Sequence, residues 1–282
     1  MEDYEIYKEV VHNQNIKMKF MEFEEIEKNK LTSDDFLMRY INIHKLISLI
    51  TNKTLLFTRL DLLPDPFEGI TTRLIKERYI AKLTPSKEEI NPRLSKELRE
   101  KALEEKEYIE SLYKKDALKR QKSQYVNCWF KGDRESMAMW NLYSNKEGVA
   151  IKINGRYLVD YLKRIIEIQP LLMKKYKFIC GNVEYYKLNP VDLKEKVNIK
   201  YSAFKKDVSY EYEHEYRFLI ATPLTYIDKN PSNIKLDLTD IFFHNLEIIC
   251  HPEMPDWQYQ NIINICKDTN IKAIRKSWIE LK

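Results

Sequence analysis

Glycine is scarce, with five in 282 residues. Neither GxGxxG nor a Walker-type lysine loop occurs, which excludes a glycine-rich phosphate cradle. No Gly/Ser-rich linker, repeat or low-complexity tract divides the chain, so one compact body is expected. The four cysteines, Cys128, Cys180, Cys250 and Cys266, form no close pair. That spacing speaks against a zinc ribbon or a dithiol motif, and each thiol reads as a reduced, buried small hydrophobe. No run approaches the roughly 20 apolar residues of a membrane span. The N-terminal MEDYEIYKEVV is acidic and lacks the basic-then-apolar pattern of a signal peptide. A cytoplasmic protein without membrane contact is the expectation.

What is present is globular in character: 44% hydrophobic and 32% charged residues, with a formal charge of +5. So mild a basic excess permits an acidic partner without requiring one. FLMRYI (36–41) reads as a strand, NIHKLISLITNK (42–53) as an amphipathic helix and TLLFTRL (54–60) as a strand. LPDPFEG (63–69) must turn, because two prolines and a glycine interrupt regular structure. Residues 70–122 read as helical, with Glu97–Lys101 and Glu110–Lys114 at i,i+4 spacing. The basic end KKDALKRQK (114–122) is either a solvated helix terminus or a nucleic-acid contact. Strands are expected at 123–130, at 149–153 and around Gly181, and a helix over 132–148 with Asp133 as N-cap and Gly148 as terminator. Helices near 155–167 and 190–206 and a final strand, helix, strand complete the pattern. The fold class is α+β: a central mixed sheet over 36–282, with an N-terminal extension (1–35) and a peripheral charged helical insertion at about 70–122.

SYEYEHEYRF (209–218) is unusual. Read as a strand, it places Glu211, Glu213, Glu215 and Arg217 on one face and Tyr210, Tyr212, His214, Tyr216 and Phe218 on the other. Glutamate is a poor strand former, and like charges about 7 Å apart repel. Such a row is either a wet strand face or a carboxylate pair at a pocket rim. In the second case one carboxylate orients or deprotonates a nucleophile while its neighbour stabilises a cationic transition state. Arg217 would keep a neighbouring carboxylate ionised. No Ser-His-Asp or Cys-His arrangement can be assembled from the spacing.

MRY (38–40), LLFT (55–58), PDPFEG (64–69), CWF (128–130), MWNLY (139–143), GVAIKI (148–153) and EHEYRF (213–218) together resemble the bacterial family called domain of unknown function 2971. The resemblance spans roughly residues 36–280. Pro64 stands where that family usually has Asn, and Trp129-Phe130 replaces Phe-Ser. The order of the motifs is also similar to that of ADP-ribosyltransferases of the Arg–Ser–Glu type. That likeness implies NAD as cofactor or substrate, with Arg39 on its phosphates, Glu215 on the nicotinamide ribose and Glu213 activating the acceptor. Thr58 occupies the Ser/Thr strand. Tyr40, Arg217, Trp140 and Tyr143 are further candidate cofactor contacts, although a core stripe is the favoured reading of Trp140 and Tyr143 over a base-stacking platform. The acceptor would be a protein or nucleic acid, the biological role that of a toxin or phage-defence effector, and no metal is expected. Two other readings stand beside this one. The first is a metal-dependent nuclease or phosphodiesterase using Asp65, Glu68 and Glu211, of which Asp65 and Glu68 equally read as helix caps. The second is a non-enzymatic binding module.

Overall fold

The long central strands are buried almost continuously, and the alternation of side chains along them supplies two buried faces of one mixed sheet. The computed structural model describes residues 23–65, 67–70, 95–168, 176–187, 202–223 and 230–280. Its strands are β1 (Phe23–Glu25), β2 (Phe36–Ile41), β3 (Thr54–Arg59), β4 (Gln124–Lys131), β5 (Val149–Asn154), β6 (Lys177–Asn182), β7 (Glu184–Tyr186), β8 (Lys205–Asp207), β9 (Glu215–Ala221), β10 (Asn233–Asp237), β11 (Glu247–Cys250) and β12 (Ala273–Lys276). The helices are α1 (Ile43–Asn52), α2 (Lys96–Lys122), α3 (Met137–Tyr143), α4 (Gly155–Ile168), α5 (Asp240–Phe243) and α6 (Asp256–Cys266). Ten strands form the main sheet, in the order β1-β6-β9-β4-β2-β5-β11-β12, while β3 bridges β4 and β10. β7 and β8 make a separate parallel pair.

On one face Leu37, Ile41, Ile151 and Phe218 pack with Leu46 of α1 and with Leu158 and Leu162 of α4. The other face splits into a cluster around Met38, Tyr40 and Trp140 and another around Leu60, Leu219 and Phe204. α1 starts where the Asn42 side chain accepts the Lys45 N–H at 2.9 Å and ends at Lys53 in left-handed conformation, φ 46°.

One edge of β4 is shared by two strands. Leu37 and Met38 of β2 pair with Lys131 and Phe130, whereas Thr58 and Arg59 of β3 pair with Val126 and Tyr125. Among the described residues, Asn127, Cys128 and Trp129 have no strand partner on that edge. The sheet forks here, and the Asn127 amide reaches across the fork to the Leu56 carbonyl at 2.8 Å.

Several expected elements change. Residues 208–213 are a 3-10 helix, capped by Asp207 accepting the Ser209 N–H, and not a strand. His214, at φ 39°, ends it, and β9 begins only at Glu215. The two glutamates, poor strand formers, and the competing local hydrogen bond to Asp207 take these six residues out of the ladder before it starts. Glu211 turns outward as a result. α3 starts at Met137, capped by Ser136 rather than Asp133. The described end of the helix expected near 190–206 is a 3-10 turn (Ser202–Phe204) followed by β8. The sheet starts before residue 36, since β1 pairs in parallel with β6. β10 and α5 were not anticipated. Residues 71–94 of the expected insertion lie outside the described residues. The remainder is α2, a largely exposed 27-residue helix, and its last turn is tied to the fold by the Gln121 side chain bonding the Glu68 carbonyl at 2.9 Å.

Gly148 is not a helix terminator, because α3 ends at Tyr143. A Cβ there would lie 2.6 Å from the Ile41 carbonyl oxygen and 2.0 Å from the Ser144 hydroxyl. The backbone of β2 cannot yield as a flexible side chain would. Gly148→Ala should therefore lower the unfolding free energy by about 1–3 kcal/mol, as overpacking does, and urea midpoints of the two proteins measure this.

Candidate functional site

A cavity of about 350 Å³ sits at the fork, within the small-molecule range of roughly 300–1,000 Å³. Strand alternation assigns its lining to both faces of the sheet: Arg39, Ile41 and Trp129 from one, Tyr40, Cys128, Glu215 and Arg217 from the other. Of the seven segments that carry the family resemblance, every one except GVAIKI contributes lining residues.

The inner wall is a closed ionic cluster around Arg217, which is 1% exposed. Its Nε and Nη2 donate to Glu215 at 2.6 and 2.8 Å, its Nη1 and Nη2 to Glu68 at 2.5 and 2.9 Å, and Nη1 also to the Ala203 carbonyl at 2.6 Å. All five guanidinium N–H groups are used. Lys206 Nζ lies 2.6 Å from Glu213, 3.3 Å from Glu68 and 3.7 Å from Glu215. Glu213 accepts hydrogen bonds from Lys206 Nζ and from the Tyr143 hydroxyl.

These contacts set the protonation states. Burial opposes ionisation of Glu215, but Arg217 and then Lys206 outweigh it and hold the carboxyl down at about 2. Burial pushes Glu213 up, only partly offset by Lys206. Lys206 itself is raised: burial works against its charge, and Glu215 and Glu68 overcome that. The Cys128 thiol is pushed well above its ordinary value by burial and by Glu215, so it is no thiolate nucleophile.

No family model, curated protein or solved structure matches this chain. The site is therefore read from its own geometry.

Arg39, Tyr40, Thr58, Tyr143, Glu213, Glu215 and Arg217 all line the cavity. Trp140 does not: it is fully buried between Tyr40 and His251, and its indole N–H donates to Glu135 at 3.3 Å. It is a core residue. Arg217 lines the wall but has no N–H left for a phosphate, and Glu215 gives both oxygens to Arg217. Glu211 is exposed and outside the cavity. Among the described residues no group of His, Cys, Asp or Glu forms a metal-ligand set. Glu68, a candidate ligand or cap, instead has both oxygens bonded by Arg217. Lys206 and Lys45, which also line the cavity, were not singled out from sequence. Lys206 had no signal, whereas Lys45 follows the Arg39 strand by one helical turn.

On the other face of the sheet at the fork, Arg39 is half-buried and Lys45 exposed, and among the described residues neither has a carboxylate ion-pair partner. Burial lowers the pKa of both, and for Lys45 the neighbouring Arg39 adds to it. Two crowded cations of this kind favour an anion beside them.

Replacing Glu215 by Gln should cost about 3–5 kcal/mol of stability, because it leaves Arg217 buried and undercompensated. The folded pKa is depressed from 4.5 to about 2, so the contribution is fully present above pH 4.5 and is lost as the pH falls toward 2. Urea titrations of parent and Glu215→Gln protein should show a gap at neutral pH that shrinks across this acid window.

Proposed function

We propose that the chain is an NAD-using enzyme of ADP-ribosyltransferase-like design, a transferase or glycohydrolase acting in the cavity at the sheet fork. The observation that carries this reading is the cavity's separation of charge. Arg39 and Lys45, without ion-pair partners among the described residues, offer an anion site from one face of the sheet. From the other, four carboxyl side chains, Asp65, Glu68, Glu213 and Glu215, meet two cations, Lys206 and Arg217. NAD has the matching polarity: an anionic diphosphate separated by a ribose from a cationic nicotinamide. The arginine fork suits phosphate oxygens.

In the reaction the bond between ribose C1′ and the nicotinamide nitrogen breaks, and its electron pair leaves with nicotinamide. Positive charge then spreads over C1′ and the ring oxygen. A fixed, carboxylate-rich cluster on the cavity wall stabilises that charge without reorganising. The acceptor heteroatom bonds C1′ and releases its proton to a carboxylate. Glu213 is better suited to this than Glu215, whose pKa is about 2. Resemblance to domain of unknown function 2971 supports the reading only through the convergence of its motif segments on this cavity.

Titration calorimetry with ADP-ribose tests the proposal. The parent should bind, more weakly as salt rises, and Arg39→Gln should lose about tenfold or more in affinity, as for a charge-assisted phosphate contact, at unchanged Tm. Nicotinamide release from NAD should survive EDTA. Absence of ADP-ribose binding by the parent, or equal affinity in Arg39→Gln, contradicts the reading.

A further inference from the structure

Most polar groups in the cavity wall are satisfied by other protein groups; Asp65 is only half satisfied. It follows the 3-10 turn Leu60–Leu62 and is 6% exposed. Oδ1 accepts the Phe67 N–H at 2.8 Å. Oδ2 is buried and, among the described residues, has no hydrogen-bond partner. Of the buried side-chain oxygens in that condition, it is the one that lines the cavity.

The nearby donors are already engaged. Arg217 uses all five N–H groups on Glu68, Glu215 and the Ala203 carbonyl. Lys206 is held by Glu213 and Glu68. Burial, and after it the neighbouring Glu68, outweigh the Phe67 N–H and the two cations and push the Asp65 pKa up. A buried carboxylate oxygen without a donor is costly, and a fold that keeps one on a cavity wall has a use for it there.

We propose that Asp65 is a ligand-contacting residue: its Oδ2 accepts a hydrogen bond from a hydroxyl group of the bound molecule, which for NAD is a hydroxyl of the nicotinamide-side ribose. The choice of ribose rests on the NAD reading; the orphaned oxygen does not. The ligand class is a hydroxylated organophosphate, with phosphate toward Arg39 and Lys45 and the sugar toward Asp65.

Asp65→Asn isolates this contact. The Phe67 N–H holds the side-chain oxygen in the Oδ1 position, so the new NH₂ group stands where Oδ2 was. An acceptor becomes a donor at constant shape. A carboxylate whose pKa is raised by folding destabilises the fold above that pKa, so removing its charge at neutral pH should leave Tm equal to or above that of the parent. Affinity for ADP-ribose should fall about tenfold or more, while affinity for ADP, which lacks the second ribose, should stay within about twofold of the parent. Thermal unfolding and calorimetry on parent and variant decide the matter. A lower Tm in Asp65→Asn overturns the proposal whatever the ligand, because the carboxylate is then structural. Equal ADP-ribose affinity in the two proteins overturns the Asp65 contact and leaves the NAD reading intact. A parent that binds neither ADP-ribose nor ADP overturns the NAD reading and the ribose assignment with it.

Discussion

Arg217 is the charge on which the site depends. Buried in β9, it joins three separate parts of the chain: Glu68 of the PDPFEG turn, Glu215 at the start of its own strand and the Ala203 carbonyl of the turn before β8. An uncompensated guanidinium in that position would be expensive. Its complete hydrogen bonding therefore obliges the PDPFEG turn to close over the sheet at one place. Asp65 and Glu68 share that turn, so fixing Glu68 also fixes where Asp65 stands. Lys206 then knits Glu213 into the same cluster.

The satisfied and unsatisfied groups separate cleanly. Glu68, Glu215 and Arg217 form a wall, rigid and pre-charged. Arg39, Lys45 and the unbonded oxygen of Asp65 keep capacity for a ligand. They reach one cavity because β2 and β3 share the edge of β4 and part between residues 127 and 129. A continuous sheet would have put Arg39 and the carboxylates on opposite faces with the backbone between them. The fork joins two faces that strand alternation keeps apart.

Much of this was legible in the sequence. The α+β class with a mixed central sheet followed from strand and helix periodicities, and the segments picked out by resemblance converge on the cavity. The glutamate row was singled out on the wrong geometry. Alternation over 209–218 implied four charges on one strand face, whereas a 3-10 helix sends Glu211 outward and the turn at His214 brings Glu213 and Glu215 together. Local hydrogen bonding by Asp207 decides this, and no periodicity reports it. Trp140 illustrates a second limit. A residue three positions from Tyr143 shares its side of a helix, yet one is core and the other reaches Glu213. The pairings Glu68–Arg217 and Lys206–Glu213 were not legible at all, because they join residues through tertiary packing.

The most direct test is a crystal structure with ADP-ribose bound. The account predicts the diphosphate within hydrogen-bonding distance of Arg39, the terminal ribose against Asp65 Oδ2, and the Arg217 cluster unchanged. ADP-ribose bound away from the fork, or seated there without touching Arg39 and Asp65, would contradict it.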